Sequence, residues 1–302
     1  MSTTPQTPDM ERQSIDVDIV CVGFGPAVGG FLTTLSRAVT NEDGSPALCS
    51  KIMPGMPLQI SCYERADDIG FGVSGVATRA RGIQETIPDL DVSQISMAAE
   101  ISSEKIVYLL DPVGASRRSR PLRLVDSCLR MLKWLPNFKH DAVELPYIPP
   151  FLRKEGGYVL SIGQFTQWVG SQVMGAGTAA IWPGTPVKGP LIENESVVGV
   201  RLLDQGVEKD GSPGPGFMPG MDIRAALTVV GDGPVGAVGR QLDEHFGMPE
   251  GHHQTDWAVG TKMVIDLPDG IDLEPGAIIH TCLLYTSPSP RDLSTSRMPS
   301  SA

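Results

Sequence analysis

The sequence predicts an α/β fold organised around a parallel β-sheet. Two apolar, β-branched runs, Ile15–Val22 and Ala225–Val230, each lead into a glycine-rich segment and then a helical pattern, as buried parallel strands do in α/β proteins. A third run, Leu58–Glu64, predicts a strand that ends in an acidic residue. With 41% hydrophobic residues among 302, the chain has enough apolar material for one large or two ordinary domains.

The other elements follow from periodicity, in chain order. Residues 1–14 are polar and predict a disordered leader. Pro26–Val39 predicts the first helix, because proline suits the first turn of a helix. Further along, the pattern predicts a strand at Arg153–Ile162, a helix at Gln164–Met174, strands at Thr178–Trp182, Val197–Leu203 and Val259–Ile265, a turn-rich loop at Lys209–Gly220, and a helix after Gly236 that continues through His245.

The C-terminal segment differs in composition from the rest of the chain. Of the 20 residues from Leu283 to Ala302, 11 are Ser, Thr or Pro, a composition that cannot pack a core. The segment is similar to translated adapter sequence, so residues 282–302 are predicted to be a disordered, non-native tail. The expectation is that the natural chain continues past residue 281 and that this one is truncated.

Charge and cysteine content exclude several classes of protein. The formal net charge of −11 argues against nucleic-acid binding, because no broad positive surface is available. The absence of a CxxC pair excludes zinc-knuckle and iron–sulfur patterns, so no metal site is expected. The scattered cysteines predict small buried thiols in a reducing compartment; they are Cys21, Cys49, Cys62, Cys128 and Cys282. Without a secretory signal or an apolar run of 18 residues, a cytoplasmic location is expected.

The turn between the first strand and the first helix carries the strongest functional signal. It contains Gly23 and Gly25, followed by Pro26, Ala27 and Val28 at the start of the helix. Glycine lets the backbone approach a phosphate closely, and free N–H groups at a helix N-terminus attract negative charge. The pattern therefore predicts a dinucleotide pyrophosphate here, although Val28 stands where the fingerprint has its third glycine. The alternative is a glycine-rich turn without a ligand.

Three further segments extend this prediction. Glu64, at the end of the second strand, is suited to bind the ribose hydroxyls of an adenosine; a solvated surface acid is the alternative. A glycine-rich run follows at residues 69–75, and Gly231, Asp232 and Gly233 follow the late buried strand. Two glycine-rich strand ends far apart in the chain favour one extended cofactor such as FAD, with Asp232 accepting from a ribityl hydroxyl. For the Gly231–Gly233 segment, a plain turn without a ligand is the alternative.

Several blocks of the sequence resemble the electron-transfer flavoprotein–ubiquinone oxidoreductase family. They are CYERADDIGFGVSG, KEGGYVLSIGQFTQWVGSQVMGAG, VVGVRLLDQGVEKDG, GDGPVGAVGRQL and TDWAVGTKMVID. Their order and spacing are similar to those of the family. The resemblance covers about residues 15–90 and 145–281, whereas residues 91–144 match poorly.

The resemblance implies a glutathione-reductase-like, Rossmann-type FAD-binding domain with an inserted mixed-sheet substrate or quinone domain. The FAD-binding domain would comprise residues 15–90 and 225–250, and the substrate/quinone-side domain residues 91–224 and 251–281. No catalytic side chain is assigned, because the flavin itself carries the redox chemistry. The residues implied to bind FAD are Gly23, Gly25, Pro26, Ala27, Val28, Glu64, Arg65, Ser74, Gly75, Gly231, Asp232 and Gly233.

The resemblance also implies partners. Electrons would arrive from reduced electron-transfer flavoprotein and leave to ubiquinone at a membrane surface. The family's [4Fe–4S] cluster is expected as well, but its cysteine ligands are absent from this chain. Two alternatives stay open: a related flavoprotein, geranylgeranyl-reductase-like or monooxygenase-like, and an inactive, truncated FAD-domain fragment.

Residues 117–139 combine basic charge with a helical apolar pattern, with seven basic residues and one acid, Asp126. Such a helix predicts either peripheral contact with the inner face of a membrane or, as the favoured interpretation, an ordinary surface helix with its apolar face in the core. The predicted apolar face comprises Leu122, Val125, Leu129 and Leu132, and the predicted polar face comprises Arg123, Asp126, Arg130 and Lys133.

Overall fold

The computed structural model describes residues 12–71, 75–110, 120–131, 138–139, 142–247, 262–271 and 273–281. Its helices are α1 (Pro26–Val39), α2 (Arg81–Thr86), α3 (Arg120–Met131), α4 (Ile162–Gly175) and α5 (Ala237–Phe246), with a 3₁₀ turn at Val92–Gln94. Its strands are β1 (Ser14–Val22), β2 (Ile60–Tyr63), β3 (Gly75–Thr78), β4 (Ala98–Glu100), β5 (Ser103–Leu109), β6 (Phe138–Lys139), β7 (Ala142–Leu145), β8 (Tyr158–Ser161), β9 (Ala180–Trp182), β10 (Val187–Glu193), β11 (Ser196–Leu202), β12 (Gln205–Val207), β13 (Pro213–Met218), β14 (Asp222–Val230) and β15 (Ala277–Thr281).

The chain divides into two compact units. Unit 1 comprises residues 1–74, 82–97 and 161–250, and unit 2 comprises residues 75–81, 98–160 and 251–302. Unit 1 contains a six-stranded sheet and the β12–β13 pair, whereas unit 2 contains a four-stranded sheet in the order β15-β5-β7-β6 and a three-stranded sheet in the order β3-β8-β4. Each unit therefore has its own sheets.

The six-stranded sheet of unit 1 is mixed, with strand order β10-β11-β14-β1-β2-β9. Neighbouring strands from β14 to β9 run parallel, and β11 and β10 continue the sheet in antiparallel pairing. The predicted α/β class is confirmed in this form, which is consistent with a Rossmann-type domain. Because parallel strands end at the same edge, the ends of β1, β2 and β14 are neighbours.

The core of unit 1 explains why β1 is central. The last six residues of β1 are buried, as expected for a strand covered on both faces. Val20 and Cys21 have no exposed surface, and Ile223 of the neighbouring β14 and Val200 of β11 are equally buried. Burial of such side chains stabilises the fold by about 1.5–3 kcal/mol each. The helix α1 adds Leu32, also fully buried, to this core.

Several boundaries differ from the predictions. Arg12 is ordered, because its guanidinium binds the buried Asp204 and lowers the pKa of that carboxyl, and Ser14 already belongs to β1. The predicted loop Lys209–Gly220 contains β13, which pairs with β12. The described part of the predicted strand Val259–Ile265, residues 262–265, forms no strand. Residues 1–11 of the predicted leader and the predicted tail, 282–302, lie outside the described residues.

Two expectations about side-chain burial are wrong. Cys49 and Cys128 are exposed, whereas Cys21 and Cys62 are buried as predicted. In α3 of unit 2, Asp126 was expected on the polar face, but it is buried and accepts a hydrogen bond of 2.7 Å from the Tyr108 hydroxyl. This hydrogen bond satisfies the buried carboxyl group.

Candidate functional site

A cleft of about 490 Å³ lies at the carboxyl ends of β1, β2 and β14, within unit 1. Ligands of α/β sheets bind at this edge, because the loops that follow parallel strands converge there. The structure brings together in the cleft lining most of the residues predicted from the glycine-rich turns and the second strand: Gly23, Gly25, Glu64, Arg65, Gly231, Asp232 and Gly233.

Contacts with β2 and with the turn after β14 fix the position of the glycine turn after β1. Gly23 donates a backbone hydrogen bond of 2.8 Å to the Tyr63 carbonyl. Its φ is +80°, and a Cβ there would lie 2.7 Å from the Gly231 carbonyl oxygen. Only glycine therefore fits this position, both for its backbone angle and for its contact with the second glycine-rich turn.

Gly25 leaves the N-terminus of α1 open. A Cβ at Gly25 would have no described atom within 4 Å, so the space beside it belongs to the cleft. Among the described residues, no side chain caps α1 and its first turn contains no acid. The N-terminal N–H groups and the positive end of the helix dipole are therefore available to an anion.

Glu64 is fixed at the end of β2 by two backbone groups. One carboxylate oxygen, Oε2, accepts a hydrogen bond of 2.6 Å from the Phe24 N–H, and the other, Oε1, accepts one of 2.9 Å from the Ala66 N–H. This bond to Phe24 ties β2 to the glycine turn that follows β1. The carboxylate is thus held in one orientation beside the cleft, as a group that binds ribose hydroxyls needs to be.

Asp232 has a structural contact that its sequence position did not reveal. Its Oδ2 accepts hydrogen bonds of 2.9 and 3.1 Å from the Val238 and Gly239 N–H groups, so it caps α5. A Cβ at Gly236 would lie 2.0 Å from Asp232 Oδ1, which explains the glycine there. The carboxylate occupies the place at the N-terminus of α5 that an external anion would otherwise take.

Val28 replaces the third glycine of the fingerprint without separating the helix from the sheet. Its side chain is only 2% exposed, and a Cβ at Gly231 would lie 2.4 Å from Val28 Cγ2. The absence of a side chain at Gly231 therefore makes room for Val28. Sequence reasoning missed this compensation; the available signal was a glycine placed directly at the end of β14.

The charge of the cleft lining comes from few groups. Burial raises the pKa of Tyr63, so its phenol stays neutral. A hydrogen bond with Cys21, together with burial, raises the pKa of Cys62; its thiol donates to the Gly23 carbonyl at 3.5 Å. The acidic and basic residues in the described lining are Glu64, Arg65 and Asp232.

Some predicted residues are placed elsewhere. Ser74 lies outside the described residues, and Gly75 begins β3 in unit 2. Pro26 and Ala27 are exposed at the start of α1. The cleft lining also includes Gly70 and Phe71, which belong to the predicted glycine-rich run 69–75. Four further residues of the lining were not predicted, because a single sequence does not show which side chains line the same space: Tyr63, Ala66, Thr166 and Val235.

The described residues provide neither a metal-binding cluster nor a membrane-spanning helix. Within the described ranges, no group of three or more His, Cys, Asp or Glu residues could hold a metal ion. No helix in that part of the chain is both long and apolar enough to cross a membrane. The ligands of an iron–sulfur cluster are therefore not provided by the described residues.

Comparison with curated proteins confirms the resemblance. No family model matches the chain. It is 25% identical over 275 residues to the electron transfer flavoprotein-ubiquinone oxidoreductase of Pseudomonas aeruginosa, covering 90% of this chain and 43% of that protein. It is 28% identical over 275 residues to the mitochondrial protein of that name in Oryza sativa, covering 89% and 40%, and 28% identical over 284 residues to that of Caenorhabditis elegans, covering 93% and 40%. The chain thus spans less than half the length of these relatives.

Comparison with solved structures finds more distant similarity. A geranylgeranyl bacteriochlorophyll reductase-like protein of Thermoplasma acidophilum is 18% identical with a TM-score of 0.46, covering 89% of this chain and 51% of that one. A probable FAD-dependent monooxygenase of Pseudomonas aeruginosa is 13% identical with a TM-score of 0.44, covering 76% and 46%. Because both scores are low, the fold class is taken from the sheet order of this chain.

Proposed function

We propose that this chain is the FAD-binding part of an oxidoreductase that passes electrons from reduced electron-transfer flavoprotein to ubiquinone at a membrane surface. The observation that carries the proposal is the open N-terminus of α1 beside a carboxylate, Glu64, that the Phe24 N–H holds in place. An uncapped helix end and a fixed acid on the adjacent strand are the two groups that a dinucleotide requires. Similarity to oxidoreductases over most of the chain supports the redox class.

The residues present fit the adenosine and pyrophosphate parts of FAD. The pyrophosphate would lie against Gly25 and the first N–H groups of α1, where a Cβ would occupy its place. Glu64 would accept hydrogen bonds from the ribose hydroxyls, and Asp232 would accept one from a ribityl hydroxyl through Oδ1. When bound, FAD supplies the capacity to accept and release electrons.

The remaining residues implied by the resemblance have supporting roles in this proposal. Val28 and Gly231 fix the distance between α1 and the end of β14 through their contact. Arg65 adds a positive charge to the lining, which attracts a phosphate group. No step is assigned to an iron–sulfur cluster, because the described residues contain no fitting ligand group.

Helix α3 of unit 2 would provide peripheral membrane contact. Leu124 and Val125 are 69% and 46% exposed. Apolar side chains next to basic residues suit the interface of an anionic membrane. This exposure supports contact with a membrane over a surface helix with its apolar face in the core.

The first experiment tests cofactor and electron donor together. The purified chain is incubated with FAD, and bound flavin is measured by absorbance after gel filtration. Reduced electron-transfer flavoprotein is then added under anaerobic conditions, and bleaching of the bound flavin is followed. Bleaching by this donor supports the proposal; bleaching only by a nicotinamide cofactor supports a related flavoprotein. A chain that retains no flavin is an inactive fragment.

The second experiment tests the membrane contact. Co-sedimentation with anionic phospholipid vesicles is compared for the unmodified chain, Leu124→Ser and the control Leu203→Ser, whose leucine is exposed in unit 1. Leu124→Ser should reduce the bound fraction several-fold, because serine removes the apolar group that inserts. Equal binding of all three proteins would contradict a role for α3.

A further inference from the structure

Two buried thiols lie side by side next to the glycine turn that follows β1. Cys21 of β1 and Cys62 of β2 are directly paired in the parallel register of the two strands, and neither has any exposed surface. Side chains at paired positions of neighbouring strands point to the same face of a sheet. The function proposed above assigns no role to either thiol.

The Cys62 thiol is bonded to the turn itself. Its Sγ donates to the Gly23 carbonyl oxygen at 3.5 Å. A hydrogen bond with Cys21, together with burial, raises the pKa of Cys62, so the thiol keeps its proton at neutral pH. Because only the protonated thiol is a donor, the bond to the Gly23 carbonyl is present whenever the protein is folded.

The peptide unit between Gly23 and Phe24 is held at both ends by side chains from one segment of the chain. Its carbonyl oxygen accepts from the Cys62 thiol, and its N–H donates to Glu64 Oε2 at 2.6 Å. Cys62 and Glu64 are two residues apart, the spacing that places side chains on one face of a strand. The two side chains together fix the plane of this peptide.

A glycine before this peptide makes such a hold necessary. Gly23 has a φ of +80°, and glycine adopts a wider range of backbone angles than any other residue, so the peptide after it rotates at little cost. Rotation would break both hydrogen bonds and release the Glu64 carboxylate from the turn. Gly25, at the open N-terminus of α1, comes directly after Phe24, so the peptide also sets the direction in which the chain enters α1.

We infer that Cys62 is a positioning residue of the cofactor site, whose thiol holds the Gly23–Phe24 peptide so that Glu64 and the N-terminus of α1 keep the orientation that a dinucleotide requires. The hold on the peptide exists without a cofactor; only its effect on FAD rests on the function proposed above. Cys21 is the natural comparison, because it is equally buried but its thiol bonds to Cys62 rather than to the turn.

The test compares Cys62→Ala and Cys62→Val with the matched controls Cys21→Ala and Cys21→Val. Alanine leaves a cavity and valine fills it, so the two substitutions remove the thiol with opposite effects on packing. Hydrogen exchange of single amides is measured by NMR on the chain without cofactor, at Phe24 and at Asp18. The Asp18 N–H donates to the Gln59 carbonyl at 2.9 Å, near the other end of the β1–β2 pair, so it reports general loosening of the two strands.

Both Cys62 variants should speed exchange at Phe24 about fivefold more than at Asp18, as expected for the loss of one hydrogen bond. The Cys21 variants should change the two amides equally. FAD affinity, measured by flavin fluorescence titration, should fall about fivefold, or about 1 kcal/mol, in the Cys62 variants and by less than about twofold in the controls. The melting temperature should fall by similar amounts at the two positions, because both side chains are fully buried.

Equal changes at Phe24 and Asp18 in both Cys62 variants would overturn the inference, because the thiol would then be an ordinary part of the core. Faster exchange at Phe24 with unchanged FAD affinity would also overturn it, because the hold would then not serve the cofactor. An unmodified chain that binds no FAD contradicts the proposed function instead, and exchange at Phe24 then still decides whether Cys62 holds the turn.

Discussion

The turns after β1 and after β14 share a Gly-x-Gly pattern, but they differ in whether a side chain caps the helix that follows. After β1 the middle residue is Phe24, which is buried, and α1 begins without a side-chain cap from the described residues. After β14 the middle residue is Asp232, whose carboxylate accepts hydrogen bonds from the first turn of α5. The N-terminus of α1 is therefore open to an external anion, whereas the N-terminus of α5 already binds the Asp232 carboxylate.

This difference shows that glycine spacing alone does not define a phosphate site. Both turns contain a glycine with a φ of +80°, Gly23 in the first and Gly233 in the second. What separates them is whether the protein supplies its own negative charge to the helix N-terminus. We therefore expect substitutions after β1 to change mainly cofactor affinity, and those after β14 to change mainly the free energy of unfolding.

The largest effect is expected for Gly25→Ala. Its Cβ meets no described atom within 4 Å, so the fold tolerates it, but it would occupy the place proposed for the pyrophosphate. FAD affinity should fall about 100-fold, or about 3 kcal/mol, with an unchanged melting temperature. Flavin fluorescence titration and thermal unfolding measure the two quantities.

The corresponding substitution in the second turn is Gly233→Ala. Because alanine is strained at the Gly233 φ of +80°, the substitution should lower the free energy of unfolding by about 1–2 kcal/mol. Affinity should change less than in Gly25→Ala. If Gly233→Ala weakens FAD binding more than Gly25→Ala does, the pyrophosphate does not lie at α1.

The next effect is expected where the two turns meet. Gly231→Ala places a Cβ 2.4 Å from Val28 Cγ2, and such overpacking should lower the free energy of unfolding by about 1–3 kcal/mol. Adding Val28→Ala should restore part of the loss, because the smaller side chain makes room. Urea unfolding of the four proteins of this cycle measures the coupling. Strict additivity would show that the two residues do not pack together.

A smaller effect is expected for Glu64→Gln. One amide oxygen cannot replace two carboxylate oxygens that accept from Phe24 and Ala66, and the charge-assisted bond is lost. FAD affinity should fall about tenfold, or about 1.4 kcal/mol. The matched control is Asp67→Asn, which removes an exposed acid near the end of β2. An equal loss in both variants would indicate a general charge effect.

The smallest effect is expected for Asp232→Ala. Loss of the α5 cap should lower the free energy of unfolding by about 1 kcal/mol, while FAD affinity falls less than in Gly25→Ala. Glu244→Ala, on the exposed surface of the same helix, should change stability by about 0.5 kcal/mol or less. If Asp232→Ala reduces FAD affinity as much as Gly25→Ala does, the proposed difference between the two turns is wrong.

Local patterns made much of unit 1 predictable. Helix α1 was predicted at Pro26–Val39 and is observed over the same residues, because a proline start and a helical apolar pattern are both short-range signals. β1 begins one residue before the predicted strand and β14 three residues before it. The hairpin strand β13 was missed, because glycines and prolines in Lys209–Gly220 resemble a loop and only pairing with β12 makes them a strand.

Backbone freedom and hydrophobic periodicity are local properties. Glycine-rich turns after two buried strands, and an acid at the end of the strand that follows β1 in the chain, were therefore predictable from the sequence alone. Which of the two helix N-termini is left without a side-chain cap depends on the tertiary structure. Glu64 reaches the Phe24 N–H because β1 and β2 are neighbours in the sheet. Val28 fits against Gly231 because β14 lies on the other side of β1. Such contacts join residues distant in the chain, and no spacing within one segment encodes them.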